Sequence, residues 1–250
     1  VTRIVTAILL ATGLATSTCW AGEPRQIVAM VVFEGVSLEQ LIEWDIPEYR
    51  SLVESGAVGL MNNKTAGAQT LQNNAVTFSA GTHATGNDYA RNGFNFNELV
   101  EGERAHVVLE RNTGYLAPAG SVVQPNLASI VRLNSEQRYT IVPGLLGRML
   151  QDAGVDTVAL GNTDRGTQRS RSAVATAVNT RGWVTRGDVG NRTLVPDASR
   201  PGGVRSNYSC LLEQISGLGG GRHFVVIEAG DSGRADAVEM ALSPEQHERF

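Results

Sequence analysis

Residues 26–33 read Q-I-V-A-M-V-V-F, and residues 223–228 read H-F-V-V-I-E. Both are short, nearly continuous apolar runs rich in β-branched side chains. A strand buried on both faces needs that composition, whereas a half-buried strand alternates apolar with polar residues. Residues 155–160, V-D-T-V-A-L, form a third such run. Helical patterns lie between the runs. Ser37 is a candidate cap for a helix with Leu38, Leu41 and Ile42 on one face, and Pro47 opens a second helix through Val53. Gly56 ends that helix, and residues 57–61 read as a short strand. Thr70 stands at the N-cap of a helix over residues 71–80.

Further along, residues 143–153 begin with Pro143, carry Leu145, Leu146, Met149 and Leu150 on one face, and stop at Gly154. Residues 172–178 and 208–215 are helical by pattern, and another helix starts at Ala235. Residues 90–124 look like an inserted loop or hairpin with a strand at 107–109. Strands alternating with helices predict an α/β fold, a mostly parallel sheet with helices on both faces. No linker divides residues 22–250, so they read as one domain.

Hydrophobic residues make up 42% and charged residues 18%, which fits a chain with an ample core and excludes a disordered one. The net charge of −4 gives no electrostatic reason to expect nucleic acid as a partner. The densest basic cluster, Arg165, Arg169 and Arg171, reads as a surface loop.

At the N-terminus Arg3 precedes an apolar run over residues 4–14, followed by Cys19-Trp20-Ala21. A charged start, a short apolar stretch and a small residue make residues 1–21 a signal peptide, so the chain is expected to be exported, periplasmic or extracellular. The alternative is a buried N-terminal strand or helix. Cleavage after Ala21 would leave Cys210 as the one cysteine, with no disulfide or cysteine metal site within the chain. No later apolar run is long enough for an integral membrane span. Ser243-Pro244-Glu245-Gln246 resembles a helix start close to Phe250. That pattern predicts the N-terminal portion of a longer domain, with an ordinary C-terminal helix as the alternative.

In open α/β sheets ligands bind beyond the carboxyl ends of the strands. Glu34 follows the first strand, Asn162 and Asp164 follow the run ending at Leu160, and Asp231 follows the run ending at Glu228. Thr70 adds a hydroxyl at a helix N-terminus, where unpaired N–H groups favour an anion. A hydroxyl there is placed to attack a phosphate or sulfate ester once a metal or base activates it. Asn73 and Asn74 lie near enough to donate to the same anion. The usual dinucleotide fingerprint, P-loop and H-E-x-x-H are absent, and residues 77–81, T-F-S-A-G, lack the first glycine of a serine-hydrolase elbow.

The order of these segments resembles the alkaline phosphatase superfamily. V-V-F-E-G-V-S resembles its opening strand, where an Asp binds metal, and Thr70 through His83 resembles the nucleophile helix of its pyrophosphatases and sulfatases, with Ser79, Ala80 and Gly81 at the closing turn. Residues 153–164 resemble a stretch of uncharacterised bacterial members, and F-V-V-I-E-A-G-D-S-G-R resembles the strand carrying the next metal-binding Asp, here Asp231. The resemblance spans most of residues 26–242. It implies a metal-dependent hydrolase of small phosphate- or sulfate-containing molecules. Thr70 would be nucleophile and metal bridge, Glu34 and Asp231 metal ligands, and Zn²⁺ or Mn²⁺ the ion. By their own positions Asn73, Asn74 and Arg234 are the expected substrate contacts, Arg234 as a charge that repels a metal and holds an anion. Two departures stand out. Glu34 replaces an Asp, moving the carboxylate by about 1.5 Å. Ala235 replaces a ligand His, with Arg234 beside it. These departures frame an alternative, a catalytically degenerate relative that only binds.

Overall fold

The computed structural model describes residues 24–43 and 45–238. The expected signal peptide and the Ser243 helix start lie outside them. In chain order the first elements are strand β1 (Arg25–Val32) and helices α1 (Leu38–Glu43), α2 (Pro47–Ser55) and α3 (Leu71–Ala80). Short strands β2 (Phe94–Asn95), β3 (Leu99–Val100) and β4 (Glu103–Arg104) precede α4 (Ala105–Thr113), β5 (Val122–Val123), α5 (Leu127–Ser135) and α6 (Leu145–Asp152). Then come β6 (Val155–Gly161), α7 (Ser172–Ala177), β7 (Trp183–Val184), β8 (Arg186–Asp188), β9 (Leu194–Pro196) and β10 (Val204–Ser206). The described chain closes with α8 (Tyr208–Ser216), β11 (Gly221–Glu228) and α9 (Gly230–Asp236).

The expected α/β architecture is present. A four-stranded, all-parallel sheet has the order β1-β11-β6-β8. Its two central strands send alternate side chains to opposite faces, as the two-residue period requires. Ala159 and Val226 pack with Ala173, Val174 and Ala177 of α7 on one face. Val158, Leu160 and Val225 pack with Leu211 of α8 on the other. Outside this sheet, β2-β5-β7 form a small antiparallel sheet, and β3-β4 and β9-β10 form antiparallel ribbons. Among the described residues no helix is long and apolar enough to cross a membrane.

Four local expectations are corrected. The run at 26–33 is a parallel strand, but an edge one among the described residues: β11 flanks a single side, and Val28 and Val31 are 68% and 48% exposed. Composition alone does not distinguish an edge from a centre. Residues 57–61 form no strand, because no neighbouring strand pairs with them among the described residues; Leu60 is 92% exposed. Residues 107–109 belong to helix α4. Its buried Ala105, Val108 and Leu109 have i, i+3, i+4 spacing, and Gly114 closes it in the left-handed conformation with its N–H on Glu110 O. Finally, α9 starts at Gly230 and not at Ala235. Gly230 and Gly233 weaken its helical signal. They are there for close packing: a Cβ on Gly230 would lie 2.1 Å from Asn162 O.

Candidate functional site

Helix α3 sets the position of Thr70. Thr70 has extended φ/ψ, and its Oγ1 accepts from Asn73 N–H at 3.3 Å, as an N-cap residue does. At the far end Gly81 turns left-handed and donates its N–H to Phe78 O. The whole span from Thr70 to Gly81 follows the sequence expectation. Ala75, Val76 and Ala80 anchor α3 in a cluster with Ala84, Ala90 and Ile130, while Thr70 stays exposed.

Asn73 is buried, and both ends of its side chain bond within the fold. Its Nδ2 donates to Ala68 O at 2.8 Å, and its Oδ1 accepts from Thr85 Oγ1, Gly86 N–H and Asn87 N–H. It therefore fixes the loop that delivers Thr70 and does not face a ligand. Asn74 donates its backbone N–H to Thr70 O and lines the space in front of the helix.

That space is a cavity of about 500 Å³ beyond the carboxyl end of β1. Glu34, Thr70, Asn74, Arg91, Arg165 and Asp236 all line it. Glu34 lies two residues past the end of β1 and rests on α9, where Gly233 leaves room: a Cβ there would be 2.8 Å from Glu34 Oε2. Gly35, at φ +71°, turns the chain away, and a Cβ on it would strike Asp236 at 2.5 Å. Burial pushes the Glu34 carboxyl up, the Asp236 charge pushes it further, and Arg165 and Arg91 oppose both.

The two arginines reach the cavity from distant segments. Arg91 ends the 3-10 turn Asn87–Arg91 and is held by Asp88 at 3.1 Å; its buried Nε has no partner among the described residues. Arg165 sits on a hairpin turn closed by its own backbone pairing with Gln168, and its Nη2 donates to Gln168 Oε1 at 3.0 Å. The arginine cluster is thus no plain surface loop. Arg171 is 1% exposed and bridges Asp164 at 2.6 Å and Glu98 at 2.7 Å. Its partner Glu98 is remote in sequence, so clustering alone concealed the burial.

Behind the cavity wall, Thr163 Oγ1 donates to Glu228 Oε1 at 2.7 Å, and Ala173 N–H donates to Glu228 Oε2 at 2.9 Å. Burial pushes the Glu228 carboxyl up to about 7; the Ala173 and Thr163 hydrogen bonds oppose the rise, and the charges of Glu34 and Asp164 add to it.

Asp231 and Arg234 do not line the cavity. They pair with each other at 2.7 Å. Asp231 also accepts from Ser206 N–H, and Arg234 donates to Asn162 O and Ser206 Oγ, tying α9 to β10 and to the end of β6. Burial pushes the Asp231 carboxyl up, but Arg234, Ser206 N–H and Tyr208 outweigh it and hold it below the usual carboxylate range. Asp236, one helical turn beyond, is the second carboxylate of the cavity. Sequence reasoning missed Asp236, Arg91, Arg165 and Glu228. The buried end of β11 was the one available signal, and it pointed to Glu228. Among the described residues no three His, Cys, Asp or Glu side chains gather as a metal-binding group. Comparison with family models, with curated proteins and with solved structures gives no match to this chain.

Proposed function

We propose that the chain is an exported hydrolase of phosphate or sulfate esters, of alkaline-phosphatase-superfamily type, with Thr70 as nucleophile. The observation that carries this reading is one cavity holding an exposed threonine hydroxyl at a helix N-terminus, two guanidiniums and a carboxylate pair. The N–H groups of Leu71 and Gln72 at the start of α3 and the Asn74 side-chain amide would hold the ester oxygens. Arg91, which lines the cavity with a partly exposed side chain, would bind the same group through charge-assisted hydrogen bonds. Thr70 Oγ1 would attack the phosphorus or sulfur in line with the leaving oxygen. Export rests on the pattern of residues 1–21.

The metal of this reading meets an oxygen-only donor set: Glu34, Asp236 and the Thr70 hydroxyl. A closed zinc site prefers nitrogen and sulfur donors, whereas carboxylates and water suit Mn²⁺. Of the two candidate ions, Mn²⁺ is therefore the better fit, with water and the substrate completing its shell. When bound, the ion would polarise the ester and acidify the Thr70 hydroxyl. Asp231 is engaged by Arg234 and contributes no donor to this set.

A second reading is favoured by that same engagement. With Asp231 withdrawn and no histidine among the described residues that line the cavity, the protein would be a relative that binds an anion without turning it over. Hydrolysis of p-nitrophenyl phosphate, bis-p-nitrophenyl phosphate and p-nitrocatechol sulfate with added Mn²⁺ decides between them. Turnover lost in Thr70→Ala and kept in Thr70→Ser supports the hydrolase. Phosphate binding without turnover in the parent protein supports the binder. Turnover unchanged in Thr70→Ala overturns the nucleophile assignment.

A further inference from the structure

A second cavity, of about 430 Å³, lies beyond the carboxyl end of β8 and shares no lining residue with the Thr70 cavity. Asn95, Asn97, Glu98, Ser121, Asp188 and Asn191 contribute to its wall. Several of these groups carry hydrogen-bonding capacity that the fold does not use. Ser121 is 1% exposed, and its Oγ has no partner among the described residues, although its N–H reaches Pro118 O and its C=O accepts from Phe96 N–H. Such orphaned buried hydroxyls are rare and call for an explanation.

Asp188 is 5% exposed. Its Oδ1 accepts from Asn95 Nδ2 at 2.7 Å and from Gly190 N–H at 3.0 Å. Its Oδ2 faces Arg192 Nε at 3.8 Å, too far for a hydrogen bond. Asn97 spends its Oδ1 on Arg104 and keeps its NH₂ group, and the exposed Asn191 amide bonds to none of the described residues. The cavity wall thus carries an unshared carboxylate oxygen, an NH₂ donor and a complete amide, with an unpartnered buried hydroxyl among them.

Charge narrows the ligand. Arg192 compensates Asp188, and Glu98 is paired with Arg171 at 2.7 Å, so neither a cation nor an anion is demanded. A neutral ligand that both donates and accepts at adjacent positions satisfies this set, and vicinal hydroxyls do so. Phe96, stacked on His106 at 4.0 Å, supplies an apolar wall for a C–H face. The volume lies within the range of small-ligand sites. We propose that this cavity binds a neutral polyhydroxylated ligand, a monosaccharide unit. The site stands apart from the ester reading, since its residues and its ligand differ from those of the Thr70 cavity.

The test is calorimetric titration of the full chain with glucose, galactose and mannose, and with ethanolamine as a cationic control. At least one hexose is expected to bind, and Ser121→Ala and Asn191→Ala are each expected to weaken it roughly threefold to tenfold. Ser121→Ala deletes an unpartnered hydroxyl, so its thermal melt should match the parent's. Three results overturn the proposal: no hexose binds, ethanolamine binds better than every hexose, or hexose binding is unchanged in both variants.

Discussion

Thr163 Oγ1 donates a 2.7 Å hydrogen bond to the fully buried Glu228 Oε1, and Thr163 also lines the Thr70 cavity. One side chain therefore separates a buried carboxyl from the open site. The carboxyl ionises near 4.5 when exposed and near 7 in the fold, so between those values the folded chain binds more protons than the unfolded one. Its stabilising contribution is complete below about pH 4.5 and is lost as pH rises through about 7, on the order of 3 kcal/mol in all. Glu228→Gln should flatten the fall in stability over that window. The glutamine can keep Ala173 N–H on its Oε1 and donate to Thr163. Urea unfolding at several pH values reads the slope; a slope equal to the parent's would mean that Glu228 is ionised throughout.

Thr70 has two separable roles, as cap and as attacking hydroxyl. Thr70→Ala removes the acceptor for Asn73 N–H and should cost about 1 kcal/mol of stability. Thr70→Ser should restore it, since serine caps as well as threonine. A thermal melt of both variants measures the cap alone, independent of any turnover. Equal melting temperatures for the alanine and serine variants would argue against the capping geometry.

Helix α3 was legible because its determinants are local: a capping hydroxyl, ten residues without a breaker, and a glycine that adopts positive φ at the end. The central strands β6 and β11 were legible for the same reason. The edge position of β1 was not, because it depends on which strands pair with it. By sequence alone Asp231 is the expected cavity carboxylate, since it closely follows β11. Asp236 reaches the cavity because α9 begins at Gly230, pressed against Asn162, and the helix turns its own first-turn acid toward Arg234. Arg91 and Arg165 arrive from segments with no shared pattern, so only tertiary structure brings them to Thr70.

The two aspartates of α9 should therefore behave oppositely. Asp231→Asn strips the partner from Arg234, which is 1% exposed, and should destabilise the fold by about 2 kcal/mol while leaving phosphate affinity unchanged. Asp236→Asn should leave the melt nearly unaltered. It removes a negative charge from the cavity, so metal-free protein should bind inorganic phosphate roughly tenfold more tightly. Paired melts and phosphate titrations check both, and reversed assignments would restore Asp231 to the site.

The fit between α9 and Glu34 is steric, and a double-mutant cycle can isolate it. A Cβ at Gly233 would lie 2.8 Å from Glu34 Oε2 and 2.9 Å from Thr163 Cγ2. Thr163 is held by Glu228, so Glu34 and the backbone of α9 must give. Gly233→Ala should cost about 1–3 kcal/mol and push the Glu34 carboxylate from its place. Glu34→Asp shortens that side chain by about 1.5 Å and relieves the closest of these contacts, while the one with Thr163 stays. The double variant should thus be more stable than the sum of the single changes predicts, with a coupling of about 1 kcal/mol. Simple additivity in urea unfolding would show that Glu34 is not pinned against Gly233, and the carboxylate pair with Asp236 would lose its structural basis.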